Sequence, residues 1–203
     1  MTQENDINIL NAEIRKKFNK YNSKHDRDNG RIPAVLYDSE NNIYVTLNEK
    51  EVAQWYKKSF AEYNKLYINL EDKKILVVPK IVDTNKVTDN VSHIEFQILH
   101  DKKYVFNVPI LYDQLSQSPG IKNRGTLIIV NKTIKITCLP KDLPSYIIYD
   151  SKNVMVNQKI YISDIVLPKE ITIKQKNIII ATCIGSRIKE ETETSEEQEN
   201  TTN

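Results

Sequence analysis

The chain has 203 residues, 39% of them hydrophobic, which is enough apolar material for one large domain or two ordinary ones. No apolar run approaches the roughly 20 residues that a membrane-spanning helix needs, which excludes a helical membrane protein. The net charge of +2 hides a segregation: six acids and no cation fall in 190–203, and setting them aside leaves +8 on the rest.

High polarity from Ser186 onward predicts a disordered acidic tail over 187–203. The first six residues carry acids and lack both a basic and an apolar stretch, so no secretory signal or transit peptide is expected there. Cys138 and Cys183 are too few for a metal site or a disulfide framework. Each sits in an apolar run, which predicts two buried, reduced thiols in a cytoplasmic protein.

In chain order, the first pronounced feature is basic. Arg15, Lys16, Lys17, Lys20, Lys24, Arg27 and Arg31 place seven cations within 15–31, against two anions, Asp26 and Asp28. Such a cluster, punctuated by Gly30, is an electrostatic footprint suited to a phosphate backbone. It reads as a basic loop that feeds into a buried strand, Arg31-Ile32-Pro33-Ala34-Val35-Leu36-Tyr37. Period-two alternation then predicts strands, with Ile43, Val45 and Leu47 facing one way and Tyr44 and Thr46 the other. Leu66, Ile68 and Leu70 repeat the pattern.

A helix interrupts the strands. Asn48 reads as its N-cap and Glu51 as the second half of a capping box, while Val52, Trp55, Tyr56 and Ser59 share one face. Aromatics at that spacing read as core rather than as a base-stacking platform. Glu71-Asp72-Lys73-Lys74 reads as a turn into a strand at 75–78, 80–91 as a polar loop, and 92–99 as a returning strand. His93 and Glu95, two residues apart, share one face of that strand.

Beyond a short junction at 100–103, strands are expected at 104–109, 126–131, 133–138, 145–149, 159–162, 170–173 and 177–183. Turn signals at Ser118-Pro119-Gly120, Arg124-Gly125, Pro140, Pro144 and Pro168 separate them, as in a small all-β sandwich or barrel. The expected division is a first domain over 1–99, a second over 100–186 and the tail over 187–203.

Several segments in their joint order carry a family resemblance. They are Leu10-Asn11-Ala12-Glu13-Ile14-Arg15, Gly30-Arg31-Ile32-Pro33-Ala34-Val35-Leu36-Tyr37 and His93-Ile94-Glu95-Phe96 in the first half. In the second half they are Ser118-Pro119-Gly120-Ile121-Lys122, Cys138-Leu139-Pro140-Lys141-Asp142-Leu143-Pro144 and Ile162-Ser163-Asp164-Ile165. The chain thus resembles the bacterial large-ribosomal-subunit protein number twenty-five family, in its long two-domain form, called Ctc or general stress protein.

That resemblance implies a mainly β protein with an N-terminal β-barrel, a few helices and a second small β domain. It also implies 5S rRNA as partner, with neighbouring large-subunit proteins and rRNA, on cytoplasmic ribosomes. The family's RNA-binding residues map onto Arg15, Lys20, Ser23, Lys24, Arg27, Arg31, Tyr37, His93 and Glu95. Cations would neutralise phosphates and position the RNA, while His93 and Glu95 would read ribose hydroxyls and base edges. The chain departs from the family where His25 stands in place of the usual arginine, Asp26 in place of an apolar residue, Asp38 in place of glycine, and Asp83-Thr84-Asn85-Lys86 in place of a basic turn.

Two other classes stand as alternatives. An enzyme would have to pair Cys138 or Cys183 with His93 or His100, yet neither thiol stands at a glycine-bearing turn or helix N-terminus that would activate it. No cofactor, metal, membrane or small-molecule substrate is expected. The second alternative is a stress-related protein-interaction module without direct RNA contact.

Overall fold

The computed structural model describes residues 8–15, 19–38, 41–168, 171–173 and 177–185. The expected tail, Lys16, Lys17 and the first residue of the strand expected at 170–173 lie outside them.

Six strands form a closed barrel: β1 (Ile9–Ile14), β2 (Arg31–Tyr37), β3 (Asn42–Asn48), β4 (Leu66–Leu70), β5 (Lys73–Thr84) and β6 (Val91–Ile98). They run in the order β1-β3-β2-β6-β5-β4, and parallel pairing of β1 with β4 closes the ring and leaves no free edge. Alternation sets the core: Ala34, Leu36, Val45, Leu47, Ile68, Ile94 and Phe96 point inward and are buried. Glu71 and Asp72, both at positive φ, make the tight turn from β4 to β5. The polar loop expected at 80–91 is shorter than that, because β5 continues to Thr84. Between Pro79, opposite Phe96, and Ile81, opposite Glu95, Lys80 is an extra residue, so the buried proline sits at a bulge where a missing N–H is tolerated.

The first correction concerns the basic stretch. It is a helix, α1 (Lys20–Asp28), rather than a loop. The Asn19 side chain caps it by accepting from the Asn22 N–H, and Gly30 at φ +69 ends it in the left-handed conformation that favours glycine. The second helix, α2 (Glu49–Tyr56), starts where expected, with the Asn48 side chain accepting from the Lys50 N–H. Glu51 completes no capping box. Its carboxylate accepts instead from the backbone and side-chain N–H groups of Asn11 on β1. The helix ends before Ser59, which is exposed, and buries Val52 and Trp55.

The second domain holds β7 (Tyr104–Asp113), a short α3 (Pro119–Lys122), β8 (Gly125–Ile129), β9 (Thr133–Cys138), β10 (Ile147–Asp150), β11 (Lys159–Tyr161) and β12 (Ile179–Gly185). Two three-stranded sheets, β10-β7-β9 and β11-β12-β8, bury a shared cluster that includes Phe106, Val108, Ile134, Ile136, Ile160 and Ile180. Of the strand expected at 170–173, a single bridge from Thr172 to Thr137 is present. Ser118 caps α3, and Gly120 is required there: a Cβ would meet Cys183 Sγ at 2.8 Å and the Val154 carbonyl at 2.9 Å. Both cysteines are free and buried, and burial pushes the Cys138 thiol up to about 11.

The barrel and the second domain share apolar contacts. Val78, on the outer face of β5, and Leu99 belong to the second domain's cluster. Lys65 donates to the Pro140 and Lys141 carbonyls, and the Phe60 and Tyr146 rings lie 5.8 Å apart. Lys80, the bulge residue, donates to the Val105 carbonyl with its ammonium 5.6 Å from the Phe106 ring. Among the described residues no helix is long and apolar enough to cross a membrane.

Candidate nucleic-acid interface

The outer face of the barrel carries the candidate residues because of strand register. On β2 the side chains that do not enter the core are Arg31, Val35 and Tyr37, and on β6 they are His93, Glu95 and Gln97. Parallel pairing sets Val35 opposite Glu95 and Tyr37 opposite Gln97, so one continuous surface forms. Tyr37 is half-buried, and its hydroxyl pKa is raised by burial and secondarily by the Glu95 charge. His93 Nδ1 lies 2.8 Å from the Pro33 carbonyl, which can only accept, so Nδ1 carries a proton. The other nitrogen, Nε2, faces Glu95 at 4.0 Å. The imidazole is thus fixed in orientation with one edge available beside a carboxylate.

Helix α1 lies against β2 and presents the cations. Lys20 and Lys24, one helical turn apart, are exposed, and neither has an ion-pair partner among the described residues. Arg27 reaches from the last turn to the Ser92 carbonyl at 2.9 Å, tying the helix to the strand end that precedes His93. Arg31 pairs with Glu13 at 2.9 Å, and with side-chain exposures of 53% and 71% that pair is worth only about 0–1 kcal/mol. A competing phosphate displaces such a partner at little cost.

Arg15 and Ser23 are placed differently. The Arg15 side chain is 7% exposed, and Nη2 sits 3.0 Å from Asp26 Oδ2 and 3.1 Å from Ser23 Oγ. Ser23 Oγ in turn donates to the Asn19 carbonyl at 3.2 Å. Arg15 thus lies beneath α1, and Ser23 sits on the face of the helix turned toward it. Asp26, which as a free carboxylate would repel phosphate, is instead turned onto Arg15.

Sequence reasoning missed a cleft of 290 Å³ beside α1, lined by Glu13, Arg15, Asn22, His25, Arg31 and Thr46 among others. The signal for it was the helix itself: Asn19 and Gly30 bracket 20–28 as N-cap and C-terminal glycine. Among the described residues no group of three or more His, Cys, Asp or Glu could hold a metal.

A closed six-stranded barrel with a cationic helix laid across it, followed by a second β domain, defines a two-domain, mainly β protein. Comparison makes this specific. Residues 10–96 match the Ribosomal L25p family and residues 103–187 match the C-terminal domain of ribosomal protein TL5. The chain is 31% identical over 180 residues to the large ribosomal subunit protein bL25 of Rickettsia africae, covering 88% of this chain and 89% of that one. It is 30% identical over 191 residues to the Rickettsia prowazekii protein of the same name, covering 93% and 94%. Against that of Ehrlichia ruminantium strain Gardel it is 28% identical over 197 residues, covering 95% of each. The chain belongs to this L25 family, in its long two-domain form, a structural family rather than an enzymatic one.

Proposed function

We propose that the protein is a structural component of the large ribosomal subunit that binds 5S rRNA through α1 and the outer face of β2 and β6. The observation that carries this reading is the contact from Arg27 to the Ser92 carbonyl, which brings the Lys20–Lys24 row against the strand bearing His93 and Glu95. Positioning groups and reading groups then share one surface. Lys20, Lys24, Arg27 and Arg31 neutralise phosphates; His93, Glu95 and Tyr37 meet sugar and base edges in a widened minor groove. Recognition resides in 1–99. The second domain, 100–186, reaches ribosomal protein or rRNA beyond the 5S site, and the protein works on the cytoplasmic ribosome without cofactor or small-molecule substrate.

The test is a gel shift of the full chain with purified 5S rRNA and with an unrelated duplex of equal length. Preference for 5S rRNA at moderate salt is expected, and equal binding to both would reduce the reading to polyanion attraction. Ribonuclease treatment of a lysate adds a second arm. An RNA-anchored protein leaves the ribosome-sized fraction, whereas a protein-docked one stays with its partner.

A further inference from the structure

We infer that Arg15 and Asp26 form a positioning pair that sets the angle of α1 on the barrel, so that Arg15 serves RNA binding through the helix and does not touch phosphate. The inference rests on the RNA reading above and assigns a role within that same surface. Four observations carry it. Arg15 is 93% shielded, since its side chain is only 7% exposed. Its guanidinium is spent on Asp26 and Ser23, two residues one turn apart on α1. Its backbone N–H is fixed on the Tyr44 carbonyl at 2.9 Å, so the strut starts from the barrel wall. And α1 buries no side chain of its own, so little else besides Arg27 orients it. Among the described residues the Arg15 Nε is buried without a partner, a cost that persists where the surrounding bonds over-determine the placement.

The pair explains Asp26. A carboxylate on an RNA-facing helix is unfavourable by simple charge counting. It becomes useful when it clamps a buried guanidinium and in doing so holds Lys20 and Lys24 in register with His93. The two ideas predict opposite signs. Under charge counting, Asp26→Asn removes repulsion and frees Arg15, so 5S affinity rises and the salt slope steepens by about one unit. Under positioning, the same variant weakens binding.

The experiment measures 5S rRNA affinity of the full chain across a salt series for wild type, Asp26→Asn, Arg15→Met and the double variant Arg15→Met/Asp26→Leu, alongside amide exchange over 20–28. Asp26→Asn is expected to weaken binding by roughly tenfold at unchanged slope, with faster exchange in α1. The double variant replaces the ion pair by an apolar one and is expected to recover affinity to within about threefold of wild type, again at unchanged slope. Tighter binding by Asp26→Asn overturns the inference. So does a double variant that stays as weak as Arg15→Met with a slope lowered by about one unit, because Arg15 would then be a phosphate contact. Should a single variant fail to fold, the double variant still decides, since its affinity and slope separate strut from ligand. If wild type does not prefer 5S rRNA, the function is wrong; if α1 exchange in Asp26→Asn also stays at the wild-type rate, the pairing role fails on its own evidence.

Discussion

The two helices of the barrel are of similar length and are fastened in opposite ways. Helix α2 sinks Val52 and Trp55 into the core, with the Trp55 ring 6.4 Å from Phe96. Burying side chains of that size stabilises by about 1.5–3 kcal/mol each. Helix α1 buries nothing and is held from outside by Arg15 on Asp26 and Ser23, and by Arg27 on Ser92. Hydrophobic anchoring is insensitive to salt and tolerant of angle, whereas charged hydrogen bonds are directional and set an orientation. Helix α2 therefore belongs to the fold, and α1 to the surface that the fold presents. Damage to one should unfold the protein, and damage to the other should leave it folded and impaired.

Trp55→Ala removes the core anchor of α2 and should cost about 3–5 kcal/mol, seen as a lower denaturant midpoint. A loss below about 1 kcal/mol would mean that α2 is not anchored by its core face. Next comes the seam between the domains. Val78 is 3% exposed on the outer face of β5 and is buried among second-domain side chains. Val78→Asp places a carboxylate in that seam and should cost about 3 kcal/mol, splitting the unfolding of the full chain into two transitions. A single transition at the wild-type midpoint would show that the two domains are not coupled there.

Much of the barrel was legible in the sequence, and the reasons are physical. Leu66, Ile68 and Leu70 alternate cleanly because one face of β4 meets the core. Asn48 announced α2 because a capped start precedes an apolar face. Helix α1 was illegible to the same method because it has no apolar face to repeat; its single large apolar residue, Tyr21, is 77% exposed. Only its ends, Asn19 and Gly30, carried a signal. The far half of β5 was hidden by its exposed polar residues and by the bulge at Lys80, which breaks the alternation. Of the candidate site, the residue types were readable but not their depth. Arg15 and Lys24 look alike in sequence, and only the turn of α1 puts one beneath the helix and the other on top.

Asn19→Ala probes α1 in the same way. It removes the side-chain acceptor for the Asn22 N–H and should cost about 1 kcal/mol of helix stability. Because α1 contributes no core, the effect should appear as faster amide exchange over 20–28 and a few-fold loss of 5S affinity, with the global midpoint nearly unmoved. A midpoint shift as large as that of Trp55→Ala would erase the distinction between the helices.

The smallest stability effects, and the finest test, belong to side chains that only face outward. Lys24 is exposed on α1 and has no hydrogen bond to hold it among the described residues, so Lys24→Ala should change stability by less than about 0.5 kcal/mol. Its loss should lower the dependence of log affinity on log salt by about one unit, uniformly for 5S rRNA and for a control duplex, because one phosphate contact disappears. His93 is held by the Pro33 carbonyl, and under the proposed function it reads rather than neutralises. His93→Ala should therefore leave the slope alone and narrow the gap between 5S rRNA and the control. The two variants are compared at matched salt, with slopes taken over the same range. If both flatten the slope equally and neither narrows the gap, α1 and β6 perform the same task. The surface would then be a cationic patch without a reading half, and the orientation that Arg15, Asp26 and Arg27 impose on α1 would have no counterpart in specificity.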